Sequence, residues 1–344
     1  MASAPAVDVL HSRQGVCTLD SQGTFLFLVE RTEGRLSRRY MAVFSYTCVV
    51  SGWPSCLAVA LLIFSTPVAA QQTSEPSEGH STPSALFKKV IDNQEHGEKV
   101  LDQYERIQRD EALPPAAGDP RPAVTKVWRV FPTGAGVDKI PLSPEGKPAE
   151  NYRSDLEKLE KYLAWIVEDG AGQKEAYAKA ERKRKDRFEL LEATHQAFIF
   201  TPDGEDTRGG RTLLRYTIKP NPSYRPTTRN TTIFTRVRGT IWLDQQTSQM
   251  AKIDGTVTDD ISIALFLAKV YKGSHFMQER YEVAPGVWQA TFEQYDFDGR
   301  KFLLTFSIHE RTFYSDYKRV GPPREAIELV RTELSKLGPA SATR

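Results

Sequence analysis

The sequence predicts an α+β protein: a curved antiparallel sheet, equivalent to a half-open β-barrel, with helices covering its concave face. Two observations indicate this class. Helical spacing of apolar residues is found mainly before residue 193, whereas from Ala197 to about residue 310 short alternating segments follow one another. Short polar turns separate most of these segments, which leaves no room for the crossover helices that parallel strands need.

The predicted strands begin with a hairpin and continue as a meander. Phe198–Phe200 and Arg211–Lys219 flank a polar turn that contains Gly209-Gly210, which is a hairpin signal. Asp298-Gly299 between two alternating segments is a further hairpin signal. The remaining strands are predicted at Val124–Phe131, Ile233–Asp244, Gln249–Val257, Ile261–Val270, Ser274–Val283, Val287–Phe297 and Arg300–Glu310.

Alternation within the strands predicts which side chains face the helices. A sheet with one covered face places apolar residues on that face and polar residues in water. The apolar sets are Phe302, Leu304, Phe306 and Ile308 in the last strand, Trp288, Ala290 and Phe292 in the strand before it, and Met277, Tyr281 and Val283 in the strand before that. The opposing polar sets, expected on the wet side, include Gln278, Arg280, Gln289 and Glu293.

Helices are predicted on either side of the first strands and at the C-terminus. Ser84–Arg109 and Asn151–Glu192 show near-helical spacing and are the covers available for the sheet. Within the second region, Leu156, Leu159, Leu163 and Ile166 form an apolar stripe that predicts packing against a neighbour, while the rest is largely charged. A last helix is predicted at Arg324–Leu337, which would dock on the sheet, close one end of the barrel or bind a partner, with docking as the default.

The start of the chain predicts a targeting signal rather than part of the fold. Residues 42–74 lack charged side chains, Arg38-Arg39 stand before them, and Leu57–Phe64 is a compact apolar run. Small residues follow the run, so we expect cleavage near Ala70. A retained membrane anchor is the alternative, although Gly and Pro residues interrupt the uncharged segment and leave only a short continuous apolar run.

These features divide the chain into five parts. Residues 1–40 are an upstream extension or a misassigned start, 41–70 the signal peptide and 71–82 a disordered linker rich in Ser, Glu and Pro. Residues 83–320 form a single half-barrel domain with a helical insertion at 150–193, and 321–344 are a C-terminal helix and tail. The predicted location is outside the cytoplasm, in the periplasm or at the outer membrane.

Composition and motifs argue against several functional classes. Cys17, Cys48 and Cys56 all precede Ala70, so disulfides, thiolate metal sites and cysteine nucleophiles are excluded from the mature chain. Beyond Ala70, 41 basic residues balance 40 acidic ones, which argues against a dedicated nucleic-acid binder. The sequence contains no hydrolase, zinc-peptidase or phosphate-loop motif, and its histidines lack metal-ligand spacing, so we expect no enzyme activity, no metal and no cofactor.

The strand that ends in Trp242-Leu243-Asp244, with its Thr-containing turn and the strand after it, resembles periplasmic lipoprotein carriers and outer-membrane lipoprotein-sorting proteins. Pro220–Arg225, Phe234–Asp244, Ile261–Gly273 and Thr312–Lys318 are similar to segments of uncharacterised secreted bacterial proteins of that kind. The resemblance covers most of residues 85–320. It implies a half-open antiparallel barrel with a helical lid, whose inside holds acyl chains or a lipidated peptide. The long charged helices at Asn151–Glu192 depart from the carrier pattern.

The expected function is therefore a non-enzymatic binder or carrier of lipid or lipoprotein acyl chains in a bacterial cell envelope. Its partners would be a lipid or a lipidated protein, with transient membrane contact. The alternative is an envelope sensor or scaffold that uses the same fold to bind a protein partner. Candidate ligand-lining residues, which ordinary core packing would also explain, are Trp242, Met250, Phe266, Met277, Trp288, Phe292, Phe302 and Phe306.

Overall fold

A computed structural model describes residues 18–19, 25–26, 83–114, 122–228, 230–263, 268–302 and 304–337. The chain divides into two compact units, Met1–Cys56 and Leu57–Arg344. In the first unit, β1 (Thr18–Leu19) pairs antiparallel with β2 (Phe25–Leu26). The predicted signal peptide at 41–70, the linker at 71–82 and the tail after residue 337 lie outside the described residues.

The described helices of the second unit fall close to the predicted regions. They are α1 (Pro83–Leu101), α2 (Tyr152–Ile166), α3 (Ala171–Ala197) and α4 (Pro323–Lys336), with a short 3-10 helix at Asn230–Arg236. α1 and α4 each begin at a proline, whose fixed φ suits the first turn and whose missing N–H is not needed there. In the part of the chain that the structure describes, none of the helices is long and apolar enough to cross a membrane.

Twelve strands form one sheet, and each of the pairings between them is antiparallel. Ten of them follow the order β5-β4-β3-β14-β13-β12-β9-β8-β7-β6, so β5 and β6 are the two edges and the sheet is open. The predicted α+β class is confirmed. The strands are β3 (Tyr104–Ala112), β4 (Val124–Pro132), β5 (Val137–Leu142), β6 (Phe198–Arg208), β7 (Arg211–Pro220), β8 (Val237–Asp244), β9 (Met250–Val257), β10 (Ile261–Ile263), β11 (Ala268–Val270), β12 (His275–Ala284), β13 (Val287–Lys301) and β14 (Leu304–Arg319).

Cross-strand partners share a face, so the register assigns each helix to one side of the sheet. Tyr216, which contacts Phe87 of α1, is linked through successive partners to Ile241, Ile253, Gln278, Glu293, Thr312, Asp110 and Lys126. We call this side, which α1 covers, the inner face. Arg129 lies on the opposite, outer face and bonds to Tyr152 of α2 and Glu333 of α4. Helices therefore lie on both faces of the sheet.

The outer-face helices have a core of their own. The leucine stripe of α2 packs with Ala326, Ile327 and Val330 of α4 and with Phe131 and Ile140 of the sheet. All of these side chains are buried, and Leu156, Leu159 and Leu163 have no exposed surface. α4 thus docks on α2 and the β4–β5 end of the sheet.

Three local predictions are wrong. Tyr104–Arg109 is strand β3 rather than helix, because a turn at Val100–Gln103 ends α1 and the segment then pairs with β14 and β4. Ile261–Val270 is a hairpin of β10 and β11 rather than one strand. Asp298-Gly299 is not a turn but lies inside β13, where a Cβ on Gly299 would come within 2.2 Å of the Lys269 carbonyl, so close approach of β11 explains the glycine.

Candidate functional site

One end of the inner face is an apolar floor beneath α1. Phe87 of α1 has its ring centroid 4.0 Å from that of Phe200 and 5.2 Å from that of Tyr216. Val90 and Ile91 of the same helix are also buried. The register places the following buried residues on this floor: Tyr216, Ile218, Ile241, Leu243, Met250, Ile253 and Phe276.

Polar side chains follow on the inner face, towards β13 and β14. We call the set Gln94, Arg106, Gln278, Arg280, Gln289, Glu293, Tyr314 and Tyr317 the polar seam. Gln278, Arg280, Gln289 and Glu293 have 3–5% of their surface exposed. One hydrogen bond ties the seam to α1: Gln289 donates to the Gly97 carbonyl at 2.9 Å. Gln94, which belongs to α1 itself, has 5% of its surface exposed.

The burial of the polar seam corrects the predicted alternation. Gln278 and Arg280 face α1, whereas Met277 and Tyr281 alternate with them and point to the outer face, where Tyr281 is 41% exposed. Alternation alone predicts that the apolar set of each strand is the buried one. Here α1 covers a polar set.

Glu293 is the acidic member of the seam. It accepts hydrogen bonds from Gln278 at 2.7 Å and from the Tyr314 hydroxyl at 3.1 Å. Burial raises the pKa of Glu293 above its ordinary value despite these bonds, because removing water disfavours the charged form. Burial also raises the pKa of Tyr314 well above its ordinary value and that of Tyr317 to about 12. The arrangement therefore favours neutral side chains next to a cation.

That cation is Arg280. Its Nη2 donates to the Trp288 carbonyl at 3.1 Å, and its Nε is buried with no hydrogen-bond partner. Three further seam atoms are buried without a partner: Gln94 Nε2, Arg106 Nη1 and Gln278 Oε1. Buried polar groups in folded proteins are nearly all satisfied, so several unsatisfied atoms on one stretch of the inner face require an explanation.

The predicted lining residues do not form one surface. Met250 and Phe306 share the inner face, whereas Trp242, Met277 and Phe292 lie on the outer face. Trp288 is buried in a small cluster with Leu213 and Ala251, against which Trp242 packs. Phe302 is 57% exposed next to the end of β13, and Phe266 lies outside the described residues.

The outer face carries a hydrogen-bonded chain that sequence reasoning missed. His309 Nδ1 lies 2.9 Å from Asp296, and His309 Nε2 lies 3.0 Å from the Ser307 hydroxyl. Ser307 and His309 lie at alternate positions of β14 and face Asp296 on the neighbouring strand β13. A search for local sequence motifs does not detect an arrangement that spans two strands. Ser307 donates its single hydroxyl hydrogen to Asp298, and Arg311 holds Asp296 through two hydrogen bonds. The cluster is therefore a polar network in which the Ser307 hydroxyl lies between Asp298 and His309.

A groove of about 480 Å³ also opens on the outer face, across β7, β8 and β9. Its charged side chains are Lys219, Arg238 and Lys272, and no acidic residue lines it. In the residues that the structure describes, no group of three histidine, cysteine or acidic side chains is placed to bind a metal ion.

The solved structures that are similar to this chain include the following three. A LolA-superfamily protein from Nitrosomonas europaea has 9% identity and a TM-score of 0.28, over 72% of this chain and 98% of that one. A domain described as an outer-membrane lipoprotein-sorting protein, from Vibrio parahaemolyticus, has 10% identity and a TM-score of 0.27, over 71% and 99%. A DUF1329-family protein from Desulfovibrio piger has 9% identity and a TM-score of 0.26, over 67% and 92%.

The first two of these structures belong to the families that the sequence resemblance indicated. No protein-family model matches the chain, and no curated protein matches it significantly. No residue role is transferred from the similar structures.

Proposed function

We propose that this chain is an exported, non-enzymatic binder or carrier of lipid or lipoprotein acyl chains in a bacterial cell envelope. One observation carries the proposal: α1 covers an inner face that is apolar at one end and polar, with unsatisfied buried atoms, at the other. An amphiphile has an apolar part and a polar part that correspond to these two ends of the inner face. Its acyl chain would take the place of α1 on the apolar floor, and its polar part would reach the seam.

The energetics favour a long acyl chain. Displacing α1 uncovers Leu86, Phe87, Val90 and Ile91, all of which are buried. At about 1.5–3 kcal/mol for each side chain, this costs about 6–12 kcal/mol. A chain of about sixteen carbons contributes about 12 kcal/mol at about 0.8 kcal/mol per buried methylene, and one of about eight carbons only about 6 kcal/mol. A long chain therefore offsets the whole range of this cost, whereas a short one reaches only its lower end.

Contacts around α1 are compatible with its release. Arg187 pairs with Glu98 at 3.1 Å, Arg184 pairs with Asp102, and Asn93 donates to the carbonyls of Thr247 and Ser248 at 3.0 Å. Water can replace each of these polar contacts when the helix moves. Only the apolar contacts of α1 need a ligand in exchange.

The first test is binding of acyl ligands to the full chain. Native mass spectrometry is expected to detect co-purifying lipid, and a titration is expected to give tighter binding to a palmitoyl than to an octanoyl ligand. Palmitoyl binding should accelerate amide hydrogen exchange in α1 and leave α4 unchanged, since α4 docks on the outer face. Absence of any bound lipid, together with no response to either ligand, would exclude a carrier.

A second candidate is an envelope sensor or scaffold that binds a protein partner. It is favoured by exposed aromatic side chains on α2: Tyr162 and Trp165 are 36% and 37% exposed, with ring centroids 5.4 Å apart. Aromatic residues are enriched where proteins bind one another. Hydrogen-exchange protection at α2 by a partner, without any acyl binding, would support this function instead.

A further inference from the structure

We propose that the polar seam binds the anionic headgroup, a carboxylate or a phosphate, of the acyl ligand, with Arg280 as its counter-ion and Gln94 as a second donor. This inference rests on the proposed carrier function and specifies the ligand as a negatively charged amphiphile. It does not follow from acyl binding alone, because a neutral ester would fill the apolar floor equally well.

Arg280 differs from Arg129 and Arg311, two other arginines of the sheet. Arg129 is similarly buried, with 12% of its side chain exposed, and lies 2.7 Å from Glu105 and 2.8 Å from Glu333. Arg311 is held by two hydrogen bonds to Asp296. Among the described residues, Arg280 forms no ion pair, although only 5% of its surface is exposed. Its charge is therefore left without a contacting counter-ion.

Such a charge is costly to keep in a protein interior. An unpaired buried ion loses its hydration without a compensating partner, and apolar residues of similar size usually stabilise such a position better. Glu98 and Glu293 both favour the charge of Arg280, but neither contacts it: Glu98 pairs with Arg187, and Glu293 accepts hydrogen bonds from Gln278 and Tyr314. Burial also raises the pKa of Glu293, which favours its neutral form. A ligand that brings its own negative charge would pair with Arg280.

α1 passes close to Arg280 at Gly97. A Cβ at this position would lie 3.5 Å from Arg280 Nη2 and 3.6 Å from the Trp288 carbonyl, so the glycine lets the helix pack directly against the guanidinium, which a ligand reaches when it displaces α1. A glycine inside a helix is less favourable than alanine by about 1 kcal/mol, so Gly97 lowers the helical stability of α1 at this point. Gln94 lies one helical turn before Gly97 on the same face, and its buried Nε2 is a second donor without a partner.

The test compares ligands that have the same chain and differ in charge. Palmitate, hexadecyl phosphate and the neutral methyl palmitate are titrated into the full chain at pH 7. At least one anion is expected to bind about 10-fold or more tightly than the ester, as for a buried hydrogen-bonded charge pair. Which of the two anions binds more tightly shows whether the seam fits a carboxylate or a phosphate.

Variants then assign this preference to Arg280. Arg280→Met is expected to lose the preference for the anion while keeping affinity for the ester, and Arg280→Lys to retain part of it. Arg311→Met removes the same charge from the outer face and should leave the preference intact. Arg280→Met is also expected to raise the melting temperature of the ligand-free protein, whereas loss of a merely structural arginine would lower it.

Equal affinity of the wild-type chain for anions and ester overturns this inference but leaves the carrier function standing. A preference that survives in Arg280→Met also overturns it. If Arg280→Met does not fold, the wild-type ratio and Arg280→Lys decide the outcome. Failure of all three ligands to bind contradicts the proposed function itself, so the two failures are distinguishable.

Discussion

Arg129 shows how a single side chain can join three elements of the outer face. It lies on β4 and contacts Glu105 of β3, Tyr152 of α2 and Glu333 of α4. Burial alone would raise the pKa of Glu333, but hydrogen bonds from Tyr152 and Arg129 outweigh it and hold the pKa below its ordinary value of 4.5. The ionised form of Glu333 is therefore the one that the folded chain stabilises.

This lowered pKa sets a direction for the effect of acid on stability. A depressed carboxyl pKa contributes stability that is present above pH 4.5 and is lost as the pH falls through the folded-state pKa. Glu333→Gln should lower the free energy of unfolding by about 1 kcal/mol at pH 7. Its difference from the wild type should shrink as the pH falls below 4.5, as measured by urea unfolding at several pH values.

Glu328→Gln is the matched control for this prediction, because Glu328 lies on the same helix with 67% of its side chain exposed. It should show a smaller difference at pH 7. A Glu333→Gln deficit that stays constant down to pH 3 would contradict the assigned pKa direction.

At the same scale, the sequence predicts the buried apolar residues better than the buried polar ones. The stripe of Leu156, Leu159 and Leu163 is buried as its spacing indicates. Gln278 and Arg280 could not be identified as interior residues, because strand alternation separates two faces but does not say which one a helix covers. Only the register, once known, assigns them to the side of α1.

Among the elements, the pair β8–β9 depends on two facing glycines. Gly239 and Gly255 are cross-strand partners on the inner face, and a Cβ on Gly255 would lie 2.4 Å from the Phe276 ring. The glycines therefore let a large ring pack directly against the backbone of the sheet.

Gly255→Ala should accordingly displace Phe276 and destabilise the fold by about 1–3 kcal/mol, the usual cost of overpacking a core. For a domain of this size the melting temperature should fall by about 2–4 °C for each kcal/mol. Thr256→Ala, at the exposed neighbouring position of β9, is the control and should leave the melting temperature nearly unchanged. An unchanged melting temperature in Gly255→Ala would mean that the ring has room to move.

The sequence predicts the bounds of an element well where local signals determine them, and poorly where pairing with a distant strand determines the structure. The bounds of α4 agree with the prediction to one residue at each end. The helical spacing of Tyr104 and Ile107 predicts helix in this segment, yet β14 and β4 pair with it on both sides and make it strand β3. Pairing between distant segments overrides such weak local preferences.

In the second unit as a whole, α3 is a long connection between the helices of the outer face and edge strand β6. It has 27 residues, which is about 40 Å of helix, and few of its side chains are buried. Its Arg184 and Arg187 bind acidic residues near the end of α1. The helix that sequence analysis assigned mostly to water therefore also restrains α1.

Reversing these two charges should loosen α1. The double variant Arg184→Glu, Arg187→Glu replaces two ion pairs by repulsion between like charges. Because each pair contributes up to about 1 kcal/mol, hydrogen exchange in α1 should become about 5-fold faster or more. Lys183→Glu combined with Lys185→Glu makes the same charge change at exposed positions of the same helix and should have little effect. Similar exchange in both double variants would show that α3 does not hold α1.

In the described sheet β5 and β6 are the two rims, and each pairs with a strand on one side, apart from a single bridge between Leu142 of β5 and Pro148. Rims of this kind are templates on which another extended chain can add and start aggregation. Here β5 contains Pro141, and β6 contains Pro202 followed by Asp203, Glu205 and Asp206. Proline lacks the donor that an incoming strand needs, and clustered acidic groups repel a second copy of the same rim. The sheet can thus remain open, with two edge strands, without promoting uncontrolled polymerisation through them.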